Sequence, residues 1–462
     1  MKVTELSSRY QLPVSDADLD ALLEHRPSFS FTRDQSHDEI AFRYVDAAEK
    51  LLIMDSQRRS LARKILSAAE THCMLAFPSE KDFVSRAHRT TPWEGHDASA
   101  IMITGLSGTG KTQLFSQLHK VLGNQCPTIS VPGFSGLRSL PSVRATFSKG
   151  VTIQQALVLY FPELAEVAGK TVTDATRKKG VAITQDCASK RAYMGFTALQ
   201  IADELQFVAT SANASATVST LLLKMNALGP QMVYLCNLSL LNKLGSRPPE
   251  EVRRLLTNIH VMRPYREGSA AWNRFLDAQK ALAPSLFSFD PVADQKTLHD
   301  WTFGVGGYAK LLFAAGIHMA KWSGGQLLVG MDQLRQGRSS INFHATVDSV
   351  NLLWRQQTER RVIDPNYWFK FDQTGTDIFD QSDILATVNE EQERQNIAAR
   401  AQHANVAALA LQSSMTQQER QAMASLSAQS DVKAAPIRKT RPRVGRITEE
   451  QLIEGIGALE EL

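Results

Sequence analysis

Residues Gly105–Thr112 read GLSGTGKT, and no other stretch constrains this chain as strongly. An apolar run, AIMIT, enters it. TQLFSQLHKVL leaves it with apolar residues at helical spacing. Glycines at these positions let successive backbone N–H groups turn inward, and the helix that follows adds the positive end of its dipole. The pattern predicts a strand, an anion-cradling loop and a helix, the arrangement that grips a nucleoside triphosphate. Gly105, Ser107, Gly108, Thr109, Gly110, Lys111, Thr112 and Gln113 are the expected contacts to ATP. Lys111 is expected at the β- and γ-phosphates, and the Thr112 hydroxyl on Mg2+. A chance match in a chain of this size is on the order of one or two per cent. A plain glycine-rich turn is the alternative.

At 462 residues the chain is too long for one core, and two or three domains are expected. Its composition, 43% hydrophobic and 21% charged, is that of a globular protein able to bury a sizeable interior. The formal net charge of +4 permits a polyanionic partner without demanding one. Cys73, Cys126, Cys187 and Cys236 are far apart with no CxxC pair, which predicts reduced thiols and gives no support to a zinc site. The opening MKVTELSSRYQLP lacks the apolar core of a signal peptide, and no apolar run approaches the ~20 residues that span a bilayer. A cytoplasmic location is therefore expected.

Residues 1–97 read as a helical, charged N-terminal extension, closed by a loop at RTTPWEGHDA. Residues 98–265 alternate short β-rich runs (AIMITG, TISV, ALQIADE, QMVYLC) with helices, which predicts a parallel sheet with crossover helices around the nucleotide. Residues 266–355 return to helix and are expected to form a lid. Residues 356–462 form a C-terminal extension. Its Ala-, Gln- and Ser-rich stretch could be helical or disordered, its basic run Lys433–Arg446 is expected to be a flexible tail, and a short amphipathic helix is expected from Thr448.

The hydrolytic parts follow in order. TALQIADELQF is an apolar strand ending in two acids. Asp203 is expected to hold Mg2+, and Glu204 to act as base on the attacking water. A solvated helix start is the alternative. In QMVYLCNLSLLNKL the β-rich run ends at Asn237, a candidate for orienting that water or for capping the next helix. RPPEEVRRLL supplies Arg247, Arg253 and Arg254. An arginine of this helix, Arg253 or Arg254 first, could reach a neighbouring subunit's γ-phosphate or sit as an ordinary solvated residue. FGVGGYAKLLF resembles the start of a lid helix, where Lys310 is the nearest cation to a nucleotide.

The order of these parts resembles an AAA+ ATPase, and within that class the TnsC and TniB families of transposon target-selection ATPases. Three stretches carry it: SAIMITGLSGTGKTQLFSQLHKVL, ALQIADELQFVATSANASATVSTLLLKMNALGPQMVYLCNLSLLNKL and TLHDWTFGVGGYAKLLFAAGIHMAKWSGGQLLVGMDQLRQ. They cover about residues 95–345. Two departures stand out. CNLS replaces the GTP-like turn of many relatives, and QIA before Asp203 is less apolar than their run of Val and Ile. The expected fold is an α/β AAA+ P-loop NTPase with a parallel sheet, a helical N-terminal extension, a small helical lid and a partly flexible C-terminal tail. The resemblance implies Mg2+-dependent ATP hydrolysis that is regulatory rather than metabolic. It implies homo-oligomeric rings or filaments on duplex DNA, and hand-over of a target to a transposase, with a target-selector protein as further partner. Lys149, Arg177, Lys178, Lys179, Lys190 and Arg191 are the candidate phosphate contacts, as is the basic tail. Two alternatives stay open: another AAA+ DNA-associated ATPase, such as a helicase loader, replication initiator or phage-defence ATPase, and a nucleotide-dependent scaffold with no DNA role.

Overall fold

A computed structural model describes residues 3–367 except 14, 89–98, 125, 150, 166–176, 206–213, 246, 360–362 and 365–366. The expected Ala/Gln/Ser-rich stretch, the basic run Lys433–Arg446 and the helix from Thr448 lie outside the described residues, as do the loop at 89–98 and most of the serine-rich loop after Glu204.

The centre is a five-stranded sheet in the order β4-β5-β6-β1-β7, every pair parallel. The strands are β1 (Ile101–Gly105), β4 (Ser142–Thr146), β5 (Leu199–Asp203), β6 (Gln231–Leu235) and β7 (Asn258–Met262). β1, β5 and β6 are buried along their whole length, as expected of strands covered on both faces. Gln200 is held in that run by its amide nitrogen, which donates to the carbonyls of Met225 (3.0 Å) and Pro230 (2.9 Å), while its amide oxygen is buried with no hydrogen-bond partner among the described residues. That pairing accounts for the less apolar run before Asp203. One strand, β6, lies between the strand that enters the glycine loop and the strand that carries Asp203. This is the additional-strand arrangement of the P-loop fold that AAA+ ATPases have. All five strands run the same way, so Gly105, Thr146, Asp203 and Leu235 end at one edge of the sheet, where open α/β folds bind ligands.

One predicted strand lies outside this sheet. TISV forms β2 (Thr128–Val131), which pairs antiparallel with β3 (Phe134–Arg138) in a separate hairpin. Pro132 and Gly133 follow β2 directly, and Gly133 takes φ +82°, so the chain reverses at once instead of crossing over. The places in the sheet go to β4 and β7, whose mixed sequences SVRAT and NIHVM carry weak strand signals. β7 is an edge strand, and Gln57 covers part of its open side, donating to the Val261 carbonyl (2.6 Å) and accepting from the Arg263 N–H (3.2 Å).

The helices of the first ninety residues pack into two cores. These are α1 (Asp16–Leu23), α2 (His37–Lys50), α3 (Ser56–Ala76) and α4 (Glu80–Ala87). α3 presents Leu61, Ile65 and Leu66 to one face of the sheet, beside Ile103 and the helix after the glycine loop, α5 (Lys111–Gly123). α2 instead packs Ile40, Tyr44 and Ala48 against the helices that follow the sheet, among them Ala270–Leu282 and the lid helix Gly306–Met319. Among the described residues no helix is long and apolar enough to cross a membrane.

Candidate nucleotide site

The glycine loop runs from β1 into α5. Gly105, Gly108 and Gly110 have φ of +138°, +83° and +95°, which L side chains rarely adopt. At Gly105 an added Cβ would lie 2.3 Å from the Met262 carbonyl oxygen of β7. The loop is thus pressed against the neighbouring strand. Thr109 closes it from within, its hydroxyl donating to the Leu106 carbonyl (2.9 Å). The Lys111 ammonium folds over the loop, donating to the carbonyls of Gly105 (3.0 Å) and Leu106 (2.8 Å). Burial pulls this ammonium down to about 8, against the carboxylate charges of Glu204 and Asp203, which favour its protonated form.

Asp203 ends β5 with its side chain only 2% exposed. Its Oδ1 accepts from the Thr112 hydroxyl (3.3 Å) and from the Glu204 backbone N–H (2.9 Å). Its Oδ2 accepts from the Arg144 guanidinium (2.9 Å). Glu204 leaves the strand in the left-handed region, φ +61°, a costly conformation for a non-glycine residue and one found at working sites.

A cavity of about 740 Å3 opens over the loop. Ser107, Gly108, Gly110, Lys111, Thr112 and Gln113 line it from the loop side, and Asp203, Glu204 and Asn237 from the ends of β5 and β6. Lys310 reaches it from the lid helix, where burial pulls its ammonium down to about 7. Glu49 favours the charged form and Arg58 disfavours it. The lid helix abuts the loop directly. The Gly307 N–H donates to the Gly108 carbonyl (2.8 Å), and a Cβ at Gly307 would lie 2.7 Å from the Gly108 Cα. Two glycines facing each other make that approach possible.

The cavity size lies within the range for a bound cofactor. Backbone donors at a helix N-terminus, a buried ammonium beside them and a hydroxyl–carboxylate pair at Thr112 and Asp203 are the donor set a magnesium–nucleotide complex requires. The residues present fit ATP and Mg2+.

Comparison with known proteins gives shape alone. No family model matches this sequence, and no curated protein sequence matches it. Among solved structures, the chain is similar to the Orc1 protein of Aeropyrum pernix in complex with DNA, at 15% identity, over 68% of this chain and 71% of that one, with a TM-score of 0.40. It is similar also to PCH-2 of C. elegans, at 13% identity, over 66% and 73% of the two chains, with a TM-score of 0.35. The fold assignment rests on the strand order and the loop.

Of the expected site residues, all but Gly105, Thr109 and three arginines line this cavity. Gly105 and Thr109 shape the loop from beneath. Gln113 lines the cavity while its amide nitrogen donates to backbone carbonyls at the end of α2, those of Ala48 (3.4 Å), Glu49 and Leu51 (3.3 Å). The arginines are Arg253, Arg254 and Arg247. The first two are exposed on the short helix Pro249–Leu255 and do not line the cavity. Arg247 is tied to Glu251 (3.0 Å). Of the candidate DNA contacts, Lys149 and Lys190 are exposed and Arg191 is paired with Glu163. The side chains of Arg177, Lys178 and Lys179 lie outside the described residues.

Three contributors carry no local motif. Arg144 reaches Asp203 from β4. Arg58, buried on α3, donates to the Thr109 carbonyl (2.8 Å) and stacks over the Tyr265 ring at 5.0 Å. The end of α2 supplies Val45, Asp46 and Glu49 to the cavity wall. The only sequence signal for Arg144 and Arg58 is an arginine in a segment that becomes buried.

Proposed function

We propose that this chain is an ATP-dependent, DNA-binding AAA+ regulator that assembles as a homo-oligomer on duplex DNA and couples target-site choice to a transposase, with a target-selector protein as further partner. ATP hydrolysis resets the assembly. The observation that carries the ATPase part is the convergence of Lys111, Thr112, Asp203, Glu204 and Asn237 on one cavity at the carboxyl ends of β1, β5 and β6. The transposition part rests on the sequence resemblance.

The chemistry divides among these residues. Bound Mg2+ supplies charge neutralisation at the phosphates. Lys111 would turn from the carbonyls of Gly105 and Leu106 toward the β- and γ-phosphates. Thr112 and Asp203 would hold the metal. Glu204 would take a proton from water that Asn237 orients. Lys310 would report the γ-phosphate to the lid helix through the contact of Gly307 with Gly108. Arg253 or Arg254, exposed and not lining its own cavity, would act on a neighbouring copy's nucleotide. A net charge of +4 per copy gives each copy few DNA contacts, and repetition along the duplex sums them. Contacts to phosphates read little sequence, which suits a selector of broad taste.

Retention of the full chain on immobilised duplex DNA tests this reading. It is expected to be strong with Mg2+ and a non-hydrolysable ATP analogue, weak with ADP, and to fall linearly in log–log form with salt. Retention indifferent to nucleotide would overturn the switch.

A further inference from the structure

Asp203 carries a cation partner that nucleotide chemistry does not by itself require. β4 and β5 pair in register with Arg144 beside Ile201 and Thr146 beside Asp203. Residues two apart share a face, so Arg144 lies diagonally across from Asp203 on the face that carries α5. Its guanidinium meets Oδ2 at 2.9 Å, while Oδ1 is held by Thr112 and the Glu204 N–H. The two oxygens therefore have separate duties. Arg144 Nε is buried and has no hydrogen-bond partner among the described residues. Arg144 does not line the cavity, so nucleotide entry leaves the pair in place. It is only 22% exposed against 2% for the carboxylate, which limits solvent screening of the pair.

We infer that Arg144 is a positioning residue that sets how strongly nucleotide binding depends on magnesium. This inference rests on the nucleotide reading above and deepens it. The guanidinium fixes Oδ2 and turns Oδ1 to the metal side beside Thr112. It also neutralises part of the carboxylate charge that would otherwise draw a divalent cation and repel a metal-free triphosphate. Without it, Asp203 is a buried carboxylate with no ion-pair partner in contact among the described residues. Metal-free nucleotide then binds more weakly, and the metal complex more tightly. A change of about tenfold in its pull on Mg2+ is expected when this neighbouring charge is lost.

The test is the ratio of Kd for a fluorescent, non-hydrolysable ATP analogue in EDTA to its Kd in saturating Mg2+, measured on the full chain. Arg144→Gln is expected to raise this ratio about tenfold, and Arg144→Lys to keep it within about threefold of the unaltered chain. An unchanged ratio in Arg144→Gln, with the unaltered chain showing magnesium-dependent binding, overturns the role of Arg144 alone. An unaltered chain that binds no nucleotide in either condition overturns the site reading, and this inference with it. A second pair of variants guards against misfolding, because removing both members of a buried ion pair is often tolerated. Asp203→Asn and the double variant Asp203→Asn with Arg144→Gln are expected to share one ratio, since Arg144 acts only through Asp203. A ratio that differs between them contradicts the inference.

Discussion

The most informative side chains are two lysines whose ammonium groups burial has weakened. Lys310 faces Glu49 from α2, Arg58 from α3 and the cavity itself, and its ammonium stands at about 7. A phosphate beside it favours the charged form. Affinity for ATP is therefore full below pH 7 and falls as pH rises, because the lysine must then take up a proton to bind. The expected loss is up to about tenfold per pH unit above 7. Nucleotide titrations at pH 6.5 to 8.5 on the unaltered chain and on Lys310→Met check it, since the variant keeps the titrations of the nucleotide and of Lys111 and loses that of Lys310. Equal slopes would remove Lys310 from the phosphate site. At Glu204, the proposed base, Gln keeps the shape and loses the carboxylate. Glu204→Gln is expected to bind ATP within a few-fold of the unaltered chain and to hydrolyse it about 10^2–10^4-fold more slowly. Turnover assays decide this, and normal turnover would reassign the base.

At the scale of elements, the contact between glycine loop and lid helix is the joint that would make nucleotide felt elsewhere. Gly307→Ala places a methyl 2.7 Å from the Gly108 Cα, and backbone cannot yield as a flexible side chain does. A loss of about 1–3 kcal/mol, several degrees in Tm, is expected, with weaker nucleotide binding. Thermal unfolding with and without ATP measures both, and an unchanged Tm would mean the joint gives freely. Elements also separate what was legible in the sequence from what was not. The glycine loop and the strand ending in Asp203 and Glu204 were legible because each combines an apolar run with residues of fixed chemistry in one short window. β4 and β7 were not. SVRAT carries its arginine on the face toward Asp203, and NIHVM is an edge strand with partly exposed positions, so neither reads as a buried run. TISV read as a sheet strand, and the Pro132–Gly133 turn after it decided otherwise. The cavity wall from α2 and the bond from Arg58 to Thr109 join segments about fifty to sixty residues apart, and no local pattern announces such pairs.

For the whole molecule, the proposed role requires that nucleotide at one site decide whether copies stay joined. The cavity is walled by the loop, the sheet ends, α2 and the lid helix, so its occupant touches every part that packs around it. Arg253 and Arg254 are exposed and do not line the cavity, so the nucleotide contact proposed for them would have to be made to another copy. Sedimentation velocity of the full chain with duplex DNA tests the central claim most directly. With Mg2+ and a non-hydrolysable ATP analogue, large DNA-bound assemblies are expected. They should be absent with ADP, and absent for Lys111→Ala in every condition. A species that sediments as a single copy whether or not ATP and duplex are present, or a Lys111→Ala chain that assembles like the unaltered one, would contradict the account.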